Sequence, residues 1–600
     1  MSAADFNDRD DFADADKGFV AAMDPCIVKA ENGRVVWDND AYSFLDADCP
    51  DTASPSLWRQ SQLCAKQGLY QVTDGIYQVR GLDLSNMTLV EGDTGVIVID
   101  PLISKETAAA ALALYRQHRG DREVTAVIYT HAHVDHFGGV HGVYKDGVPV
   151  VAGHGFVESA VAENVYAGTA MNRRATYMYG ATLDKGPAGQ IGAGLGQTTS
   201  AGSIGLIPPT LEITHTGQEE TLDGVLVRFQ MTPGTECPVE MNFLFPERRA
   251  LCMAENATHN LHNLLTLRGA VVRDARVWSR YLGEAIALFA ADADVAFASH
   301  HWPTWSRDRI VTYLSAQRDL YAYLHDQTLR LLNAGYTGPE IAEMMEVPPA
   351  LDEAWHTHGY YGSVSHNVKA IYQRYLGWFD GNPAHLWQHP PAEAATRYVE
   401  CLGGAESAIT KAKGYIDSGD RRFAAELLNH VVFADDSNMD ARHLLADTYE
   451  SLGFGAENGT WRNFYLQGAD ELRRGIKPVP MDVAGASGLV AALSLEQLFD
   501  AIAVRINGPR CWTESFAIDW VFTDVGHTYR ITLTNGVLIH EVDPATGSAA
   551  LTVALAKPQF LQLLTGAAPG DLSTTGDVSL LQRLLSFLDA PSPNFAIVTP

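Results

Sequence analysis

Within the run VTAVIYTHAHVDHFGG, His131, His133, Asp135 and His136 place four metal-binding side chains in six residues at the end of an apolar strand. Imidazole nitrogen and carboxylate oxygen are ligands that zinc takes at about 2.0–2.2 Å. Alternation along an extended backbone aims His131 and His133 to one side. Asp135 and His136 fall in the turn that follows, facing a second position a few ångströms away. One histidine beside an aspartate is common in a polar turn, but four such groups together read as a site for two metals. Two zinc ions roughly 3.5–4 Å apart lower the pKa of water toward neutrality and hold a nucleophilic hydroxide without a side-chain base, so the chemistry expected is hydrolysis.

These groups need a rigid frame, and the flanking sequence supplies one. TLVEGDTGVIVIDPL reads as strand, tight turn and strand, with Asp100 at the end of the second strand; ETAAAALALYRQHRG reads as a helix, and the motif strand follows. The pattern His-x-His-x-Asp-His with these flanks resembles the metallo-β-lactamase superfamily. That resemblance implies an α/β fold, the αββα sandwich, over about residues 71–310, with Asp100 as a buried partner behind the ligands. It also implies a ligand in a segment of the type Thr-Pro-Gly-His-Thr, a bridging carboxylate after a hairpin and a last histidine after a later strand. Here Thr232, Pro233 and Gly234 are followed by Thr235 and Glu236, so the histidine is absent and a glutamate stands one place later. Glu255, after MNFLFPERRALCMA, takes the bridging place, and His300 in DVAFASHHWPTW takes the terminal one. His301 remains an alternative, because adjacent residues at a strand end differ only in direction. The implied set is His131, His133 and Glu236 on one Zn2+, Asp135, His136 and His300 on the other, and Glu255 shared, two ions per chain. Three carboxylates against two dications leave one formal positive charge that a hydroxide would neutralise, which suits a monoanionic substrate.

The stretch ENATHNLHNLLTLRGAVVRDARVWSRYLGEAI carries Asn263, Arg268 and Arg273 close behind Glu255. A guanidinium is a planar fork that matches tetrahedral oxyanions. Arg276 and Arg280 read as surface charges. TPGTE, AENATHNLHNLLTLRGA, SHHWPTW and HGYYGSVSHNVKAIYQRYLGWFDGNPAHL extend the resemblance, over nearly the whole chain, to the alkylsulfatases of that superfamily, enzymes that degrade dodecyl sulfate and related detergents. The resemblance implies zinc-dependent hydrolysis of alkyl sulfate esters to alcohol and inorganic sulfate. Glu236 and Glu255 then serve catalysis through the metals, Asn263, Arg268 and Arg273 hold the sulfate, and Tyr361, next to Tyr360, reaches the rim of the site. His259 and His262, four and seven residues past Glu255 and one helical turn apart if the segment is helical, are candidates for the general acid. Two other readings stay open: a lactonase or phosphodiester hydrolase of the same superfamily, and a lipid carrier whose catalytic domain is vestigial.

The formal net charge of −29 argues against nucleic acid as a partner, so an anionic substrate has to be drawn by a local field. Seven cysteines occur without a Cys-x-x-Cys pair, which excludes thiolate zinc sites of that type; Cys237 and Cys252 read as packing residues near the site. The acidic N-terminus MSAADFNDRDDFADADKGFV lacks the features of a signal peptide, giving a cytoplasmic expectation with export left open. No apolar run reaches the roughly 18 residues that span a bilayer. Residues 1–70 read as an irregular arm held by Trp37, Tyr42 and Trp58. Residues 155–208 form a Gly/Ala-rich insertion expected to wall the pocket, and its GAGLG is not a phosphate loop. Residues 311–480 are helical, with a tetratricopeptide-like stretch, and the resemblance makes them the interface of a homodimer. After the linker PVPMDVAGASG, residues 488–600 alternate like antiparallel strands about an Asn535-Gly536 turn and end in helical patterns. This resembles the sterol carrier protein type two fold, an α+β domain enclosing an apolar tunnel.

Overall fold

The computed structural model describes residues 4–478, 489–564 and 572–600. The chain forms two compact units: Met1–Ala160, Met171–Ala486 and Asn594–Pro600 make the first, Val161–Ala170 and Ser487–Pro593 the second. Thus ten residues of the central insertion go with the C-terminal unit, and the last seven residues return to the first. The linker expected at 478–488 lies almost entirely outside the described residues.

The first unit is built on two sheets. One orders Phe19–Ala21, Gly68–Thr73, Ile76–Arg80, Met87–Glu91, Val96–Ile99, Val124–Ile128, Val150–Gly153 and Leu211–Ile213. The other orders Glu219–Leu222, Val225–Met231, Met241–Phe245, Ala250–Cys252, Val295–Phe297 and Thr304–Trp305. Strand alternation decides which side chains fill the gap between them. Ile97, Ile99 and Ile128 of the first sheet share one buried cluster with Phe229, Phe243 and Phe297 of the second. Leu244 and Leu251 point to the opposite face, where Trp278 and Leu282 of helix Ala275–Phe289 cover them. On the outer face of the first sheet, Tyr77 meets Tyr115 of helix Lys105–Arg119, ring centroids 5.8 Å apart. Ser104 caps that helix by accepting the Thr107 N–H, and Gly120 at φ 92° ends it. This is the αββα sandwich anticipated.

The N-terminal segment is more ordered than an irregular arm. Phe19–Ala21 adds an edge strand to the first sheet, and Pro55–Cys64 is a helix. Trp37, Tyr42 and Trp58 are buried, each with its polar atom satisfied: Trp37 donates to Gly81 O, Tyr42 to Gln190 Oε1 and Trp58 to Ala47 O. From Arg307 to Arg474 the chain is helical, closing with five successive helices: Pro391–Cys401, Ala405–Asp417, Arg421–Ala434, Met439–Phe454 and Gly459–Arg474. The C-terminal unit is a five-stranded sheet ordered Val537–Val542, His527–Thr534, Ser515–Phe522, Leu551–Leu555 and Ser573–Gly576, with helices Leu495–Ala503, Lys557–Leu564 and Ser579–Leu585. Asn535 and Gly536 both take positive φ at the tight turn the sequence places there. No helix among the described residues is long and apolar enough to cross a membrane.

Candidate active site

Side chains from five loops meet at one edge of the sandwich. Strand Val124–Ile128 ends three residues before His131, and helix Val134–Phe137 begins immediately after His133, placing Asp135 and His136 on its single turn. The imidazoles are oriented from behind. Nδ1 of His131 meets Thr130 Oγ1 at 3.0 Å, Nδ1 of His136 meets Asp100 Oδ2 at 2.9 Å, and Nδ1 of His300 meets Leu84 O at 3.1 Å. Asp100 also accepts the Thr130 N–H and the hydroxyls of Thr130 and Ser299, so one buried carboxylate ties three loops together. Each Nε2 therefore points into the centre.

There the donor atoms form two groups able to hold a metal, His131, His133 and Glu236, and Asp135, His136, Glu255 and His300, with a third set, Glu236, Glu255 and His262, overlapping both. His133 Nδ1 lies 2.7 Å from Glu236 Oε2, and His131 Nε2 lies 3.2 Å from the same oxygen. His136 and His300 Nε2 lie 3.2 and 3.4 Å from Asp135 Oδ2. Glu255 Oε2 sits between the groups, 3.3 Å from His131, 3.0 Å from His136 and 3.3 Å from His300. Two ligands on one tetrahedral zinc stand about 3.4 Å apart, so these spacings fit a metal. The buried Nε2 atoms of His131, His136 and His300 and Oε2 of Glu236 make no hydrogen bond, as a donor set awaiting a cation requires.

Electrostatics give the same demand. Burial pushes the carboxyls of Asp135 and Glu255 up, but neighbouring imidazoles outweigh it and hold both well below the usual range. Glu236 is held down at about 2 against burial, chiefly by Arg273 and then His133. Burial would lower His300, yet Glu255 and Asp135 raise it to about 9. Three ionised carboxylates in a buried centre call for positive charge there.

His301 does not join the cluster. At φ 63° the backbone turns between the two histidines; His301 Nδ1 accepts the His259 N–H, and Nε2 meets Gly194 O at 3.1 Å. The segment Ala254–Asp274 is not helical, so His259 and His262 do not share a face. Its backbone is held from outside any helical pattern: Gln317 Nε2 donates to Thr258 O and Asn260 O, and the Arg273 N–H bonds Leu264 O. His259 stacks between Trp302 and Tyr313, with Nε2 on Thr304 Oγ1. His262 faces the centre, Nε2 2.8 Å from Glu255 Oε1 and Nδ1 on Asn263 O. Arg273 contacts Asn263 Oδ1 and Glu236 Oε1 beside it. Arg268 is half-buried, donating to Gly269 O, and its charge acts on Tyr179. Tyr361 lies edge-on to His262 at 4.8 Å, and its hydroxyl is 2.9 Å from that of Tyr179. Tyr179, at the end of helix Gly168–Tyr179 in the insertion, is a neighbour of the site that spacing did not reveal. Tyr360 is buried away from it, bonded to Ser56 Oγ. Cys252 lies in a core strand, and Cys237, between Glu236 and Glu240, is also buried.

Family models for the metallo-β-lactamase superfamily, for alkyl sulfatase dimerisation and for the alkyl sulfatase C-terminal region match residues 80–300, 337–475 and 484–600. A linear primary-alkylsulfatase of Pseudomonas sp. is 48% identical over 99% of this chain and 90% of its own length. The chain belongs to the alkylsulfatases of the metallo-β-lactamase superfamily. An (R)-specific secondary-alkylsulfatase of Pseudomonas sp. is 43% identical over 99% of this chain and 92% of its own. The solved structure of Pisa1, a stereoselective inverting sec-alkylsulfatase from Pseudomonas sp., covers 100% of this chain and 96% of its own at 43% identity, with a TM-score of 0.97. Similarity to alkylsulfatases thus runs through all three regions of the chain.

Proposed function

We propose that this alkylsulfatase hydrolyses linear alkyl sulfates such as dodecyl sulfate with two zinc ions per chain. The observation that carries the reading is Glu255 Oε2, one oxygen within 3.0–3.3 Å of imidazoles from both donor groups. Glu255 would be shared by the two ions; His131, His133 and Glu236 would complete one position, and Asp135, His136 and His300 the other. Two divalent ions held there would supply Lewis acidity and make water ionisable at neutral pH. The protein's own groups do the rest. Arg273 and Asn263 hold the sulfate oxygens beside Glu236, and Arg268 and Tyr361 complete the group that receives the substrate. His262, hydrogen-bonded to Glu255 and backed by Asn263 O, delivers a proton to the ester oxygen between sulfur and the alkyl carbon, which departs in the alcohol when water attacks sulfur and in hydrogen sulfate when water attacks carbon.

Two further features support assignments beyond the centre. The stretch matching the alkyl sulfatase dimerisation model leaves Trp378 76% and Trp387 96% exposed. Such a patch fits a second copy of the chain, giving a homodimer. In the C-terminal unit, Phe499, Trp520, Ile531, Phe560 and Leu584 line an apolar pocket, the kind of surface an alkyl tail takes.

The test compares sulfate release from dodecyl sulfate with phosphate release from dodecyl phosphate, alongside elemental analysis of enzyme prepared without chelator. Sulfate release with about two zinc equivalents, abolished by chelation, is expected. Preferred release of phosphate, or full activity with one equivalent, would overturn the reading.

A further inference from the structure

Glu240 belongs to neither donor group, yet it touches the backbone of both glutamates that do. It is fully buried at the end of the loop that starts at Thr232. Its own carbonyl closes that loop by accepting the Thr232 N–H at 2.9 Å, and its backbone pairs with His131. Oε1 accepts the main-chain N–H of Glu255 at 3.0 Å, while Oε2 accepts the main-chain N–H of Glu236 at 3.1 Å and the Thr235 hydroxyl at 2.8 Å. One side chain therefore spans the two loops that flank the hairpin of strands Met241–Phe245 and Ala250–Cys252, each carrying a carboxylate of the centre, and the backbone of the same residue pairs with His131.

A loop closed for stability alone would be served by a neutral acceptor. A third carboxyl group packed against Glu236 and Glu255 instead adds like-charge repulsion to a buried region. What a carboxylate offers there is two equivalent acceptors at fixed separation, one for each amide; glutamine would turn an NH2 toward one of the two N–H groups, and aspartate would fall a methylene short. We propose that Glu240 is a positioning residue that sets the spacing of Glu236 and Glu255 by holding both main-chain amides, so that both carboxylates reach their metals together. This rests on the reading of Glu236 and Glu255 as zinc ligands.

The experiment measures zinc affinity of Glu240→Gln and of the wild type by chelator competition, and the melting temperature of each chain with zinc and after stripping. The expected result is a tenfold or larger rise in the zinc dissociation constant, with the stripped variant melting at or above the stripped wild type, because one of three crowded carboxyl groups is gone. Unchanged affinity would overturn the proposal. So would a fall in the stripped chain's melting temperature as large as that of the loaded one, since that marks a purely structural role. If Glu240→Gln does not accumulate as folded protein, Glu240→Asp is judged by the same two readouts. Wild-type chain that itself retains no zinc would sink the ligand reading, a result distinct from equal affinities in wild type and variant.

Discussion

Arg273 and Arg268 are close in the chain but meet different surroundings. Arg273 is buried against Glu236 and Asn263, whereas Arg268 is half-buried and bonds Gly269 O. Losing a charge-assisted contact to a bound oxyanion costs about 1.5–3 kcal/mol, so either alanine variant should lower kcat/KM roughly ten- to a hundredfold for every sulfate ester tried. Arg268→Ala should do so with zinc content and melting temperature intact. Arg273→Ala should also lower zinc retention, because Glu236 loses the cation that holds it ionised. Steady-state kinetics with metal analysis separates the two, and wild-type kinetics in both variants would remove the sulfate assignment.

At the scale of elements, helices Val364–Leu376 and Gly459–Arg474 are joined by His366, whose Nδ1 accepts the Trp461 indole N–H at 2.9 Å. Burial, helped by Lys369, pushes His366 down to about 3, and burial pushes His356 to about 4. Both folded values lie below the unfolded value near 6.5. As pH falls below that, the unfolded chain takes up protons that the fold refuses, so stability drops by up to about 1.4 kcal/mol per pH unit for each histidine. Denaturation midpoints should therefore decline between pH 6.5 and 4.5. The decline should be shallower in His366→Asn, which keeps an acceptor for Trp461 but does not titrate. An equal slope in the variant would show that His366 is not held neutral.

For the whole molecule, the exposed tryptophans and the C-terminal unit make separate predictions. Trp387→Asp combined with Trp378→Asp should shift the chain from dimer to monomer in analytical ultracentrifugation at micromolar concentration; an unchanged dimer would place the interface elsewhere. Burying a methylene is worth about 0.8 kcal/mol, so two added carbons should raise kcat/KM roughly tenfold until an alkyl channel is full. Filling the C-terminal cavity with Leu584→Trp should flatten that dependence if the cavity gathers the tail, and a profile identical to wild type would make the unit an independent module. Domain deletion is a poorer test, because Asn594–Pro600 belongs to the first unit: Phe595 O accepts from Arg173, and the Ile597 N–H donates to Glu471.

The candidate donors were legible in the chain, His131, His133, Asp135 and His136 through the residue types a metal takes and Glu236, Glu255 and His300 through the family resemblance, and the structure brings all seven together. Strand alternation and the Asn535-Gly536 turn were legible because their physics is local. Where a choice depended on direction, only tertiary structure decided it. His300 and His301 differ by one residue and by a backbone turn at φ 63°. His262 faces Glu255 while His259 stacks on Trp302, because the segment is irregular, its carbonyls at Thr258 and Asn260 taken by the Gln317 side chain. The glycine-rich insertion is a matter of close approach: a Cβ on Gly194 would lie 2.1 Å from Tyr360 O. Tyr179 carries no spacing signal, for what brings it to the centre is contact with Tyr361 far along the chain, and Glu240, though only four residues past Glu236, is marked only by the turn of its carboxyl toward two amides.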